Sequence, residues 1–162
     1  VEVALVAPVL VLLIVGMLAV AQEITVSNKV SASASTMADL IAQARSVTNT
    51  DLGNIVLAGS QILYPDPADG AVFAGRIICV NFKAAGAGYQ ASVGWEYDFG
   101  TAPGTAPDLS GLTRLAQPGV SVIFVSLIYT YRPAIPNPIF DHIDIARTAV
   151  ARPRLNTTVP RV

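Results

Sequence analysis

His142 directly follows Asp141, and a carboxylate beside an imidazole is the least equipment that general acid–base chemistry needs. No nucleophile motif accompanies the pair, so a surface or hydrogen-bonded histidine in a strand-entry loop is the expected reading. The chain has one His and one Cys (Cys79), with no GxSxG, HExxH, CxxC or Walker-type loop. Nucleophilic, zinc and nucleotide chemistries therefore have no motif to build on. DPADG at Asp66 to Gly70 offers two carboxylates and a glycine, too few ligands for a calcium loop, and is expected to be a turn. Cys79 sits in an apolar run and is expected to be buried and inert. A lone cysteine excludes an internal disulfide, while an intermolecular one stays open. The expectation is a chain that is not an enzyme, with no catalytic residue, metal or cofactor.

The 162 residues are 52% hydrophobic and 13% charged, with net charge −1. So small a charged fraction, with no basic excess, argues against a disordered chain and against a nucleic-acid binder. Most of the hydrophobic surplus sits in one place. Residues 1–22, VEVALVAPVLVLLIVGMLAVAQ, contain 18 apolar residues, the exceptions being Glu2, Pro8, Gly16 and Gln22. The 20 residues of 3–22 carry no charge, and at ~1.5 Å per residue they match the ~30 Å hydrocarbon layer of a bilayer. A secretory signal would be shorter and basic at its start, and a buried core helix would keep a polar stripe. A single-pass membrane helix is the reading, and lipid its first partner. The chain does not begin with Met and is expected to have been processed or trimmed at its front.

Helical spacing continues past Gln22. Val26, Val30, Ala34, Met37, Ile41 and Ala44 recur every three or four residues, predicting one helix from about Val3 to about Arg45. The small residues of SASAST, Ser31 to Thr36, should let another element approach closely. Thr50 as N-cap with Asp51 in the first turn predicts a second helix, DLGNIVLAGSQIL, ended by Pro65. From Ala71 the period falls to two. Strands are expected at 72–82, at 90–97 with Ala91, Val93, Trp95 and Tyr97 on one face, at 120–131 as a central strand apolar on both faces, and at 143–152. AAGAGY is the turn between the first two, and the Gly- and Pro-rich 100–119 a long surface loop. Trp95, Tyr97, Tyr129 and Tyr131 are expected to pack the sheet. The fold class is α+β: a long N-terminal helix, a short second helix and a small antiparallel sheet of about four strands laid on the soluble half of the first helix. The division is 1–22 for the membrane half and 23–162 for the rest.

Charge is uneven. Up to Gly111 there are four basic and nine acidic residues, and from Leu112 six basic and two acidic. Arg147, Arg152, Arg154 and Arg161 could dock on an acidic partner or on the chain's own Asp residues, or stay solvated.

A membrane-length helix with a Glu near its start, running unbroken into a small sheet domain, resembles the pilins and pseudopilins of type IV filaments. The opening VEVALVAPVLVLLIVG resembles that of TadE-like proteins, minor pilins of the tight-adherence (Tad, or Flp) pilus. The stretch STMADLIAQARSVTNTDLGNIVLAGSQILYP is similar to the family's ADLVAQ helix, DL-containing second helix and proline. IYTYRPAIP and RTAVARPR are similar to its aromatic strand and its RPR-containing final strand. The family's Gly-ending basic leader is not in the sequence, and the pilin Glu is commonly at mature position five. About three mature residues are therefore expected before Val1, which makes Glu2 the matching Glu.

The resemblance implies a bacterial inner-membrane precursor with a periplasmic domain, later part of an extracellular pilus, at its base or its tip. Implied partners are other Tad minor pilins, the major Flp pilin, the inner-membrane assembly platform and the prepilin peptidase. Glu2 would pair with a neighbour's amino terminus, or sit in the headgroup layer; Pro8 and Gly16 are residues that membrane helices tolerate, and could also loosen the helix as it leaves the membrane for the filament core. Three functions follow: a minor pilin that primes assembly or caps the tip, a tip adhesin exposing the 100–119 loop, and, least favoured, a membrane-tethered enzyme. Asn156-Thr157-Thr158 matches a glycosylation sequon, which has little meaning in a bacterial chain.

Overall fold

A computed structural model describes residues 2–86, 88–101, 110–117, 119–133 and 142–162. Helix α1, Glu2–Ala42, is one unbroken element of 41 residues, on the order of 60 Å long at ~1.5 Å per residue. Helix α2 is Asn49–Gln61. Strands β1 (Phe73–Ala85), β2 (Gly88–Phe99), β3 (Val122–Tyr131) and β4 (Ile143–Ala151) form one antiparallel sheet in the order β2-β1-β3-β4. The α+β class expected from the sequence is the one found.

The predicted stripe on α1 is the core stripe. Val30, Ala34, Met37 and Ile41 are fully buried and Val26 nearly so, packed with Ile77, Ile123, Val125, Leu127 and Tyr129 of the sheet. α1 lies over β3 and β4 on this face, and α2 packs beside it.

The cap of α2 is Thr48, not Thr50. The Thr48 hydroxyl accepts from the Asp51 amide at 3.1 Å, and the Asp51 carboxylate accepts from the Thr48 amide at 2.9 Å, a reciprocal capping box. Thr50 lies inside the first turn, where it has no such partner three residues on. These Thr48 donors hold the Asp51 carboxyl below its usual pKa, the backbone bond contributing most.

SASAST divides between two faces. Ser33 and Ala34 face inward, and Ser33 donates to the Gly59 carbonyl of α2 at 2.9 Å. A Cβ on Gly59 would stand 2.5 Å from Met37 Sδ and 3.0 Å from Ser33 Oγ, so the helices meet where α2 has no side chain. Gly59→Ala sets a helix-propensity gain of ~1 kcal/mol against this clash with a buried Met. We expect a net loss of about 1 kcal/mol in urea unfolding. In a Met37→Ala background, itself weaker by ~2 kcal/mol or more, the same change should become neutral or stabilising. Additive losses would mean that Met37 is not the obstacle. Below this contact, Lys29 Nζ donates to the Leu63 and Tyr64 carbonyls and to Asp66 Oδ2 at 3.3, 3.2 and 2.7 Å, fastening the exit of α2 to α1.

The sheet departs from the expected pattern at Gly94. Cys79 pairs with Trp95 but Val80 with Val93, so Gly94 is an extra residue, a β-bulge. A bulge reverses the alternation. Trp95, Tyr97 and Phe99 pack on the main core, whereas Ala91 packs on the opposite face with Ile78, Val80 and Phe82. The expectation of one face for Ala91, Val93, Trp95 and Tyr97 is thereby corrected. The β1–β2 turn is also tighter than AAGAGY implies, because Ala85 pairs with Gly88 and only residues 86 and 87 lie between the strands. Gly86 takes φ +58, a conformation natural to glycine in so short a connection.

Within 100–119, residues Ser110–Leu115 form a 3-10 helix rather than open loop. Leu112 of this helix is buried over Ile78, Val80, Phe82, Val122 and Phe124 on the sheet's second face. Residues 102–109 and 118 of that loop lie outside the described residues.

The last eleven residues cross the end of the domain that lies away from the exposed first half of α1. The Arg154 amide donates to the Ala42 carbonyl at 2.8 Å, the Ser121 amide to the Thr157 carbonyl at 2.8 Å, and Val47 bridges Arg161 in parallel. Trp95 Nε1 donates to the Val159 carbonyl at 2.7 Å. This strap covers the α1–α2 turn and buries Val47 and Val159.

Candidate functional site

The surface that calls for a function is the first half of α1. From Val6 to Ile24 no residue of the helix is fully buried in its own chain: Leu12 is 72% exposed and Met17 75%. Exposed apolar surface on this scale marks a contact with lipid or with other protein. The helix is long and apolar enough to span a membrane. Its unbroken geometry follows from composition, since its apolar residues have no polar stripe to satisfy and, once in lipid, a helix satisfies every backbone group internally.

Of the expected assembly residues, Glu2 is the first residue of α1, and its side chain lies outside the described residues. Pro8 sits inside the helix without ending it, and a Cβ on Gly16 would meet nothing within 4 Å in the chain. The structure does not bring these three together; they are strung along the helix, and Pro8 and Gly16 are exposed.

The arginines are engaged inside the chain. Arg147 donates to Ser27 of α1 and, at 2.8 Å, to the Ala146 carbonyl. Arg152 donates to the Leu115 carbonyl at 2.9 Å, holding the 3-10 helix to the end of β4. Arg154 pairs with Asp39 Oδ1 at 2.6 Å, both largely exposed, so the pair adds little to stability. Arg161 donates to Asn49 and the Glu96 carbonyl and lies over the Tyr97 ring at 5.9 Å. The basic C-terminal third thus lies on the acidic remainder of the same molecule, at Asp39, with the strap as its vehicle. The strap had no local signal; only the charge asymmetry hinted at it.

Cys79 is buried, and desolvation pushes its thiol pKa up, the opposite of thiolate activation. The Asp69 carboxylate accepts from the Ala71 and Val72 amides at 2.9 and 3.2 Å, which makes DPADG the turn expected. His142 is exposed, and its neighbour Asp141 lies outside the described residues. Among the described residues, no group of three His, Cys, Asp or Glu could hold a metal.

Tyr129 is the most perturbed group. It is 1% exposed, donates to the Pro67 carbonyl at 2.8 Å, and has its pKa pushed up to about 12, by desolvation first and then by Asp66. The folded chain keeps this proton where an unfolded tyrosine, titrating near ~10, has lost it. The contribution of neutral Tyr129 is therefore complete below pH ~10 and is lost as pH rises toward about 12. Circular dichroism through an alkaline titration should show this loss. Tyr129→Phe should be weaker by ~1 kcal/mol at neutral pH yet flatter above pH 10. An unchanged alkaline limb in that variant would exclude Tyr129 as the titrating group.

Comparison with family models, with curated proteins and with solved structures returned no match.

Proposed function

We propose that this chain is a TadE-like minor pilin: a single-pass subunit that primes assembly of a Tad/Flp-type pilus or caps its tip, and whose N-terminal helix passes from the inner membrane into the filament core. One observation carries the reading. A single 41-residue helix is bare and apolar through its first half, and through its second half it is the backbone of a compact α+β domain. Such a helix suits two apolar hosts in turn, bilayer and helix bundle, because the exchange exposes none of it to water. The folded domain stays attached to the same rod throughout.

Glu2 is the residue assigned to subunit registry. A carboxylate at the edge of an apolar segment is tolerated best when a cation meets it, and a neighbour's amino terminus is the partner proposed. Deleting the gene from its host should abolish piliation, and a Glu2→Gln variant should fail to copurify with its partner pilins while remaining membrane-bound. Gly16→Ala is the companion control. It meets no atom of its own chain, so any assembly defect it causes arises between subunits. Intact pili that no longer adhere would favour an adhesin instead. Glu2→Gln assembling as well as the parent would remove Glu2 from the mechanism.

A further inference from the structure

The lower lip of the sheet carries an exposed arginine, Arg132. β3 ends at Tyr131, whose hydroxyl meets Gln22 Oε1 at 3.4 Å, and Gln22 closes the uncharged segment of α1. Arg132 follows directly, is exposed, and makes no hydrogen bond or ion pair among the described residues. Lys29, Arg76 and Arg154 each have a carboxylate at 2.6 to 2.7 Å, whereas Arg45, Lys83 and Arg114, like Arg132, have no side-chain partner among the described residues. Arg45, Lys83 and Arg114 lie past Ala42, past Val80 and beside Leu115, at the opposite end of the domain, so what distinguishes Arg132 is its level.

The height of Arg132 can be measured a second way. The top of β4, Ala149 to Ala151, lines a groove with Ala38, Asp39, Leu40 and Gln43 of α1, so the two elements are level there. Descending β4 from Ala151 to Ile143 covers roughly 26 Å at ~3.3 Å per residue. The same descent along α1 from Ala42, at ~1.5 Å per residue, reaches about residue 25. Ile143 pairs with Tyr131, and Arg132 is one strand step lower, level with about residue 22 or 23. Both routes bring Arg132 to the end of the apolar segment, which in a bilayer is where the phosphate layer begins.

We propose that Arg132 docks on the phosphate groups of the lipid headgroups and seats the folded domain directly on the membrane surface. The planar guanidinium fork matches phosphate oxygens two at a time and keeps its charge at any physiological pH. A domain held off on a stalk would need apolar helix, then exposed polar helix, then domain. Here a domain contact, Tyr131 to Gln22, falls on the last residue of the uncharged run. The proposal rests on the reading of the first half of α1 as a membrane span.

The test uses the full chain in vesicles of phosphatidylethanolamine and phosphatidylglycerol, carrying one nitroxide label at a time. Cys79 stays in place, because burial keeps it from labelling under native conditions. Labels enter at His142→Cys, beside Arg132 at the lip, at Leu155→Cys on the distal strap, and at Leu13→Cys in mid-helix. Accessibility to a water-soluble nickel relaxer should be lost at 13, reduced at 142 and full at 155. Adding Arg132→Glu should raise the accessibility at 142 toward that at 155, with the near-ultraviolet dichroism unchanged. The proposal is overturned if 142 is as accessible as 155, or if Arg132→Glu leaves 142 unchanged while 13 stays protected. If 13 is itself accessible, the membrane-span reading has failed and the proposal falls with it.

Discussion

A chain carrying Leu12→Arg together with Leu13→Arg should leave the membrane fraction on alkaline carbonate extraction, while its α+β domain stays folded. Residues 3–22 contain 12 Val, Leu and Ile residues, and at ~0.3–0.6 kcal/mol each these favour insertion by about 4–7 kcal/mol. Two central arginines oppose this by ~5–7 kcal/mol, and two leucine contributions are lost as well. The balance moves to zero or beyond. The domain should not respond, because Leu12 and Leu13 are 72% and 56% exposed and touch none of the core. Extraction read beside near-ultraviolet dichroism separates the two effects. A double variant that stays membrane-bound would mean that the first half of α1 is not what holds the chain there.

Gly75→Val should be the most damaging single change in the domain. In β1, Gly75 pairs with Phe99 on one side and Leu127 on the other. A Cβ there would lie 2.4 Å from the Ser126 carbonyl oxygen, 2.8 Å from Phe99 Cζ and 2.9 Å from Leu127 Cδ2. The first obstacle is backbone of the neighbouring strand and cannot rotate away. The second is a ring packed 5.5 Å from that of Phe73, so it is hemmed in from behind. We expect a loss of ~3 kcal/mol or more, with Tm lower by roughly 6–12 °C in a domain of this size. Phe99→Ala should not rescue the variant, since the carbonyl remains. This differs from Gly59, where the obstacle is the flexible Met37 side chain and shortening it should restore tolerance. A Gly75→Val chain within 1 kcal/mol of the parent would show that β1 and β3 can part locally at no great cost.

What the sequence made legible was whatever repeats locally. The apolar segment is read from length and composition alone, and the core stripe Val26, Val30, Ala34, Met37, Ile41 from a spacing that only a helix places on one side. The four strands are found where period two begins. The boundaries that failed did so for identifiable reasons. SVTNT offers Ser46, Thr48 and Thr50 as caps, and the deciding feature is an acid three residues on, which only Thr48 has in Asp51. Reading for the capping box would have found it. The bulge at Gly94 could not be found this way, because Val93 and Trp95 are both apolar and unbroken alternation fits the letters equally well. The strap of residues 152–162 is fixed by partners 36 to 115 positions away, from Ser121 with Thr157 to Arg154 with Asp39, and no local window contains them. Arg132 carries no local signal either, because its level against α1 is set by the register of β3 with β4.

Because α1 runs from Glu2 to Ala42 without a break, its exposed apolar half and the half packed in the folded domain share one rotational phase. Each residue added between Gln22 and Val26 would raise the domain by ~1.5 Å and swing it about 100° around the helix axis. One inserted residue would therefore turn the strap, the β4 edge and the sheet lip toward different neighbours, while seven would return them to within ~20° of the start, some 10 Å higher. Azimuth and height can thus be varied almost separately. A molecule with a flexible joint at the membrane boundary would be indifferent to both.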